Sequence, residues 1–121
     1  MRWGPIFLAL EPRLKTGILL LTGYPLNQVS ADPHPPEIEP FHDAPRVKTP
    51  VLIMCGRYDP LYPYETSQVP LFQSLGTPSE LKKHPTFPAG HSAHGWRDDL
   101  HREGMQWLDQ RLGTVAATQS R

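Results

Sequence analysis

Two ionisable side chains stand just past strand-like runs: Asp59, within GRYDP at residues 56–60, and His91, within PAGHSAH at residues 88–94. A carboxylate that accepts the proton of one imidazole nitrogen fixes the ring's tautomer and stabilises its protonated form. The second nitrogen is then available to take a proton from a hydroxyl nucleophile. Each residue sits a short turn beyond an apolar run, VLIMC before Asp59 and the segment ending at Phe87 before His91. If those runs are neighbouring strands, their ends lie about 5 Å apart, and the two side chains can meet. Gly56 and Gly90 give each loop freedom to turn. Spacing alone leaves plainer readings open, because Asp59-Pro60 is a common turn dipeptide and Gly90-His91 suits a surface loop.

Other reactive side chains are less well disposed. Ser92 is adjacent to His91 and so badly placed to be its partner, Ser30 falls in a proline-rich stretch, and Ser67 suits a helix cap. Cys55 ends an apolar strand, where a thiol packs as a small core residue rather than reacting. His91, His94 and His101 are close in sequence but match no zinc-ligand spacing, so neither a metal nor a cofactor is expected; a histidine metal site is kept as an alternative reading. Tyr58 and Tyr62 flank Asp59 and are expected to pack around its turn. Tyr24 and Phe41 are possible pocket contacts, and the Trp107 and Leu108 stripe reads as core.

The positioning elements follow from pattern. Pro5 suits the first turn of a short helix through Leu10, and Pro12 ends it. GILLLT at residues 17–22 and VLIMC at residues 51–55 read as fully buried parallel strands. A helix capped by Ser67, with Pro70 in its first turn, should run to Gly76. Residues 81–87 form a third strand in which Pro85 removes a ladder donor and therefore marks a sheet edge. Asp98 and Asp99 near the start, Leu100, Trp107, Leu108 and Leu112 on one face, and Gly113 beyond define a last helix over 97–112. This order predicts an α/β layer with about three parallel strands and flanking helices, in which reactive residues gather beyond the carboxyl ends of the strands. Residues 1–112 form the domain, 22–48 a proline-rich loop and 113–121 a flexible tail.

The totals narrow the partners. The chain has 121 residues, 12 basic and 12 acidic, so no net charge draws it to nucleic acid or to an anionic membrane surface. It lacks an apolar run of the ~18 residues that a membrane-spanning helix needs. One cysteine cannot close an internal disulfide, which fits a cytoplasmic setting.

The blocks ALEPRLKTGILL, APRVKTPVLIMCGRYDPLYPYETSQVPLFQSLGTP and PAGHSAH resemble the C-terminal half of an α/β hydrolase, in the dienelactone-hydrolase and prolyl-oligopeptidase-like group. The resemblance implies a partial α/β-hydrolase fold containing the family's strands six to eight. It gives Asp59 the place of the triad acid after strand seven and His91 that of the triad histidine after strand eight. The family nucleophile lies in a G-x-S-x-G elbow before the helix that GPIFLALEP matches, and Met1-Arg2-Trp3-Gly4 holds no serine. The expectation is therefore a nucleophile upstream of residue 1 and a chain inactive by itself. Completed, it would hydrolyse an ester, lactone or peptide bond. The first strand, deprived of a neighbour, would seek an upstream hydrolase half or a second copy. The alternative is a non-catalytic remnant that serves as a binding or assembly module.

Overall fold

A computed structural model describes residues 3–24 and 40–114 of the chain. The elements are α1 (Gly4–Leu10), β1 (Gly17–Leu20), α2 (Pro40–Asp43), β2 (Val51–Gly56), α3 (Val69–Ser74), β3 (Lys82–Lys83), β4 (Thr86–Phe87) and α4 (Arg97–Leu112). β2 is the centre of an all-parallel sheet. It pairs with β1 from Gly17 opposite Val51 to Leu20 opposite Met54, and on its other side with β3 and then β4. β3 and β4 are one expected strand in two pieces, split at His84-Pro85, where proline has no N–H to give the ladder.

Every residue of β2 is buried, and its alternation sends side chains to two cores. Val51, Ile53 and Cys55 pack with Leu8, Leu19, Val47, Leu71 and Leu75, beneath α1 and α3. Leu52 and Met54 pack with Phe87 and Trp107, beneath α4. Burying a side chain such as Leu52 contributes about 1.5–3 kcal/mol. The molecule thus has helices on both faces of a parallel sheet, as the element order implies.

α1 begins with Pro5 in its first turn, and Glu11 N–H closes it on the Phe7 carbonyl at 2.9 Å. Its Gly4 lies so close to β1 that an added Cβ would fall 2.4 Å from Leu19. The carboxyl end of α3 is closed by Lys82, whose Nζ donates to the carbonyls of Phe72 (2.8 Å) and Leu75 (3.1 Å). α4 carries Asp98 and Asp99 in its first turn and Arg111 in its last, and Gly113 at φ 84° ends it in a backbone region that favours glycine. Trp107 Nε1 donates to Thr16 Oγ1 at 2.8 Å, and Thr16 donates onward to the Pro50 carbonyl at 2.9 Å. One hydroxyl therefore ties α4 to the entrances of both β1 and β2.

Several expectations are corrected. β1 is not fully buried: Leu20 is 43% exposed, because among the described residues no strand pairs with the outer edge of β1. Residues 40–46, assigned by composition to a loop, form α2 and a 3-10 turn, since Pro40 and Pro45 occupy first-turn positions that tolerate proline. Ser67 does not cap α3, because a π-helical turn, Tyr64–Gln68, precedes that helix and already contains it. Leu112 stays 58% exposed at the end of α4. Of the expected loop, 25–39 lie outside the described residues, as do 115–121 of the expected tail. Among the described residues no helix is long and apolar enough to cross a membrane.

Candidate active site

The carboxyl ends of β2 and β4 deliver the two ionisable residues to one place. Register puts Gly56 opposite Phe87. The loops beyond are laced together by Arg57 N–H on the Phe87 carbonyl (2.7 Å) and Tyr58 N–H on the Ala89 carbonyl (3.0 Å). Gly56 permits this approach, for a Cβ there would sit 2.1 Å from the Gly90 carbonyl oxygen and 2.3 Å from that of Ala89. Gly90 has no such duty: an added Cβ would find its nearest atom 3.9 Å away, and its φ lies outside the left-handed region.

Asp59 and His91 meet. The Asp59 side chain is completely buried, and its Oδ2 accepts a 2.8 Å hydrogen bond from His91 Nδ1. Its Oδ1 accepts from the backbone N–H groups of Leu61 (2.8 Å) and Tyr62 (3.0 Å). The turn reading and the charge-partner reading of Asp59 are therefore both satisfied, one by each oxygen. A buried carboxylate with three donors is held in one orientation. With its Nδ1 proton committed, the ring has Nε2 as its remaining basic atom, the arrangement needed for proton transfer to and from a hydroxyl. The imidazole is 39% exposed, and the Tyr62 ring packs beside it with centroids 5.7 Å apart. His91 also borders a cavity of about 290 Å³ walled by Leu20, Leu21, Met54 and Leu100, with His94 and Arg97 at its margin.

The acid-bearing loop has a support that the sequence did not announce. Gln68 is fully buried at the end of the π turn, and its Nε2 donates to the carbonyls of Gly56 and Tyr62, both at 2.8 Å. His84 Nε2 lies 3.2 Å from Gln68 Oε1. Burial pushes the His84 imidazole down to about 4, so it is neutral at pH 7, and it lies between the rings of Tyr64 and Phe72. Neither Gln68 nor His84 belongs to a motif, and only the position of His84 beside Pro85, at the break in a strand, hints at a special environment.

The remaining residues singled out from sequence fall elsewhere. Cys55 is buried, with Sγ 3.2 Å from the Thr22 carbonyl, and desolvation pushes its thiol up to about 11, so it is inert at neutral pH. Ser67 donates its hydroxyl to the Tyr24 carbonyl, and Tyr24 bonds Ser74 through its own hydroxyl. Ser92 is exposed beside His91. Tyr58 is 73% exposed rather than packed, while Tyr62 does pack at the site. Among the described residues no three His, Cys, Asp or Glu side chains gather to hold a metal ion. Ser30 and the Phe41 side chain lie outside what the structure describes.

Comparison with solved structures shows what fold these elements belong to. The chain is similar to a cold-adapted esterase from an Arctic intertidal metagenomic library. It matches that protein's zinc-bound structure at 29% identity and a TM-score of 0.68, over 90% of this chain and 44% of the esterase. It also matches the native structure at 27% and 0.67. TT1662 from Thermus thermophilus superposes with a TM-score of 0.72 at 17% identity, over 92% of this chain and 50% of that one. The chain carries part of an α/β-hydrolase fold. It spans about half the length of the structures it resembles. No protein-family profile matches it, and no curated protein matches its sequence. β1, β2 and the broken β3–β4 strand follow one another along the chain, and the Asp59 and His91 loops follow the second and third.

Proposed function

We propose that this chain supplies the acid and the base of a serine-hydrolase reaction on an ester, lactone or peptide bond, the nucleophile coming from a polypeptide segment outside the described residues. The observation that carries this reading is the 2.8 Å bond between His91 Nδ1 and the buried Asp59 carboxylate beside a cavity. In the reaction His91 Nε2 takes the proton of a serine hydroxyl as its oxygen attacks the substrate carbonyl. Asp59 stabilises the resulting imidazolium, and His91 returns the proton to the leaving group. The cavity between His91 and the end of β1 gives such a hydroxyl room to approach. Among the described serines, Ser67, Ser74 and Ser79 are engaged in hydrogen bonds and Ser92 is the immediate neighbour of His91. On this reading the described residues supply neither the nucleophile nor the backbone donors that hold the oxyanion. In this reading an upstream hydrolase half, added at the β1 edge that no described strand covers, completes the site, whereas a second copy of the chain would cover that edge without supplying a nucleophile.

The test is to join the chain to the coding segment that supplies a strand and a G-x-S-x-G elbow and to assay a nitrophenyl ester. His91→Ala should lower kcat/KM by about a thousand-fold. Equal activity removes His91 from the mechanism. The unpaired edge of β1, with Leu20 exposed beside a second apolar cavity of about 250 Å³, favours assembly without catalysis as the other reading. A completed protein that assembles but hydrolyses nothing supports that alternative.

A further inference from the structure

The loop from Gly56 to Tyr62 has to hold Asp59 still while His91 gains and loses a proton, yet it lies beyond the end of its strand. Its internal bonds, Asp59 Oδ1 to the amides of Leu61 and Tyr62, make it a rigid turn, and the Arg57 and Tyr58 N–H groups tie its first half to the carbonyls of Phe87 and Ala89, but none of these holds its far end to the rest of the molecule. Gln68 holds both ends. One carboxamide nitrogen donates to the carbonyl of Gly56, where the loop begins, and to that of Tyr62, where it ends. Tyr62 is the junction: its N–H holds Asp59, its carbonyl is held by Gln68, and its ring lies against His91.

A primary amide fits this place for a definite reason. It presents two donors on one nitrogen and an acceptor on the adjacent oxygen, all without charge. His84 occupies the acceptor side. Since Gln68 Nε2 is spent on two carbonyls, its Oε1 must accept, and the neutral His84 must carry its proton on Nε2. The π turn over Tyr64–Gln68, closed by Gln68 N–H on the Pro63 carbonyl at 3.2 Å, delivers this side chain inward.

We propose that Gln68 is a positioning residue: its buried carboxamide clamps both ends of the Asp59 loop and thereby sets the Asp59–His91 geometry. This deepens the hydrolase reading and rests on it for its consequence in catalysis, but the clamp is measurable without activity. In the chain labelled with nitrogen-15, the His91 Nδ1 proton bonded to Asp59 should give a low-field resonance. Gln68→Met, similar in length and without polar atoms, should abolish or broaden that resonance and speed exchange of the Leu61 and Tyr62 amides about tenfold or more. Leu75→Ala, a core change away from the loop, should lower the melting temperature and leave both signals in place. If folded Gln68→Met protein keeps the His91 resonance and the protected amides, Gln68 is only structural and the proposal falls. Should that variant not fold, the unmodified chain decides. The Gln68 side-chain amide protons and the Tyr62 N–H should exchange through one common opening, and a Tyr62 that opens while Gln68 stays protected overturns the clamp. In the completed enzyme, Gln68→Met should depress kcat with KM little changed. If Gln68→Met erases the His91 resonance while His91→Ala leaves ester hydrolysis intact, the clamp stands and the hydrolase reading fails.

Discussion

Asp59 divides one carboxylate between two tasks, giving Oδ1 to its own turn and Oδ2 to His91, so the conformation of the loop and the orientation of the His91 ring are a single property. His84 shows the opposite use of a histidine, buried so that it stays neutral. Its pKa is near 4 when folded and near 6.5 when unfolded, so between those values the unfolded chain binds more protons. Stability should therefore fall as pH is lowered from about 6.5 to about 4. Urea midpoints measured across that range should decline more steeply for the natural chain than for His84→Gln, and parallel declines would remove His84 as the cause. At this scale the meeting of Asp59 and His91 was legible because each follows a recognisable strand and stands beside a turn residue. Gln68 and His84 were not, since their roles arise from a contact between a helical turn and an edge strand that no local pattern encodes. Tyr62 was read correctly as packing at the Asp59 turn; Tyr58 was not, because it points outward while the adjacent Asp59 is buried.

Among the elements, the crossing of the β2 and β4 ends carries the site, and Gly56 is its tightest point. Gly56→Ala forces a methyl into two backbone carbonyls that cannot rotate away. It should cost about 1–3 kcal/mol of stability, as overpacking does, and displace the His91 loop. Thermal unfolding together with the His91 Nδ1 resonance checks this, and an unchanged resonance in a fully stable variant counts against it. α4 was readable to its ends from acidic first-turn residues and a terminal glycine, and Pro85 announced the interruption of the third strand. The start of α3 was misjudged because Ser67 has the chemistry of a cap while the preceding residues, Tyr64 to Thr66, give no sign of a π turn. α2 was missed because proline-rich composition argues for loop wherever the prolines are not seen to fall in first turns.

For the whole molecule, the unfinished side is the outer edge of β1, where Leu20 borders both apolar cavities between the strand and α4. An apolar strand whose backbone groups no described strand pairs is a template for further pairing. The purified chain should therefore associate with rising concentration in sedimentation velocity. Leu20→Lys should weaken that association about tenfold or more, given the ~1.5–3 kcal/mol that burying a leucine contributes. A monomer at all concentrations would show that the edge is protected in some other way. The likeness to part of an α/β-hydrolase fold was legible from the blocks around Asp59 and His91, whereas the partial exposure of β1 was not, since GILL reads the same whether or not a neighbour covers it. A last consequence lies in the pairing scheme, where every strand contact runs through Val51–Gly56 and none joins the flanking strands to each other. During synthesis on the ribosome, β1 emerges before β2, so among the described strands it has no partner until that central segment follows it out of the exit tunnel.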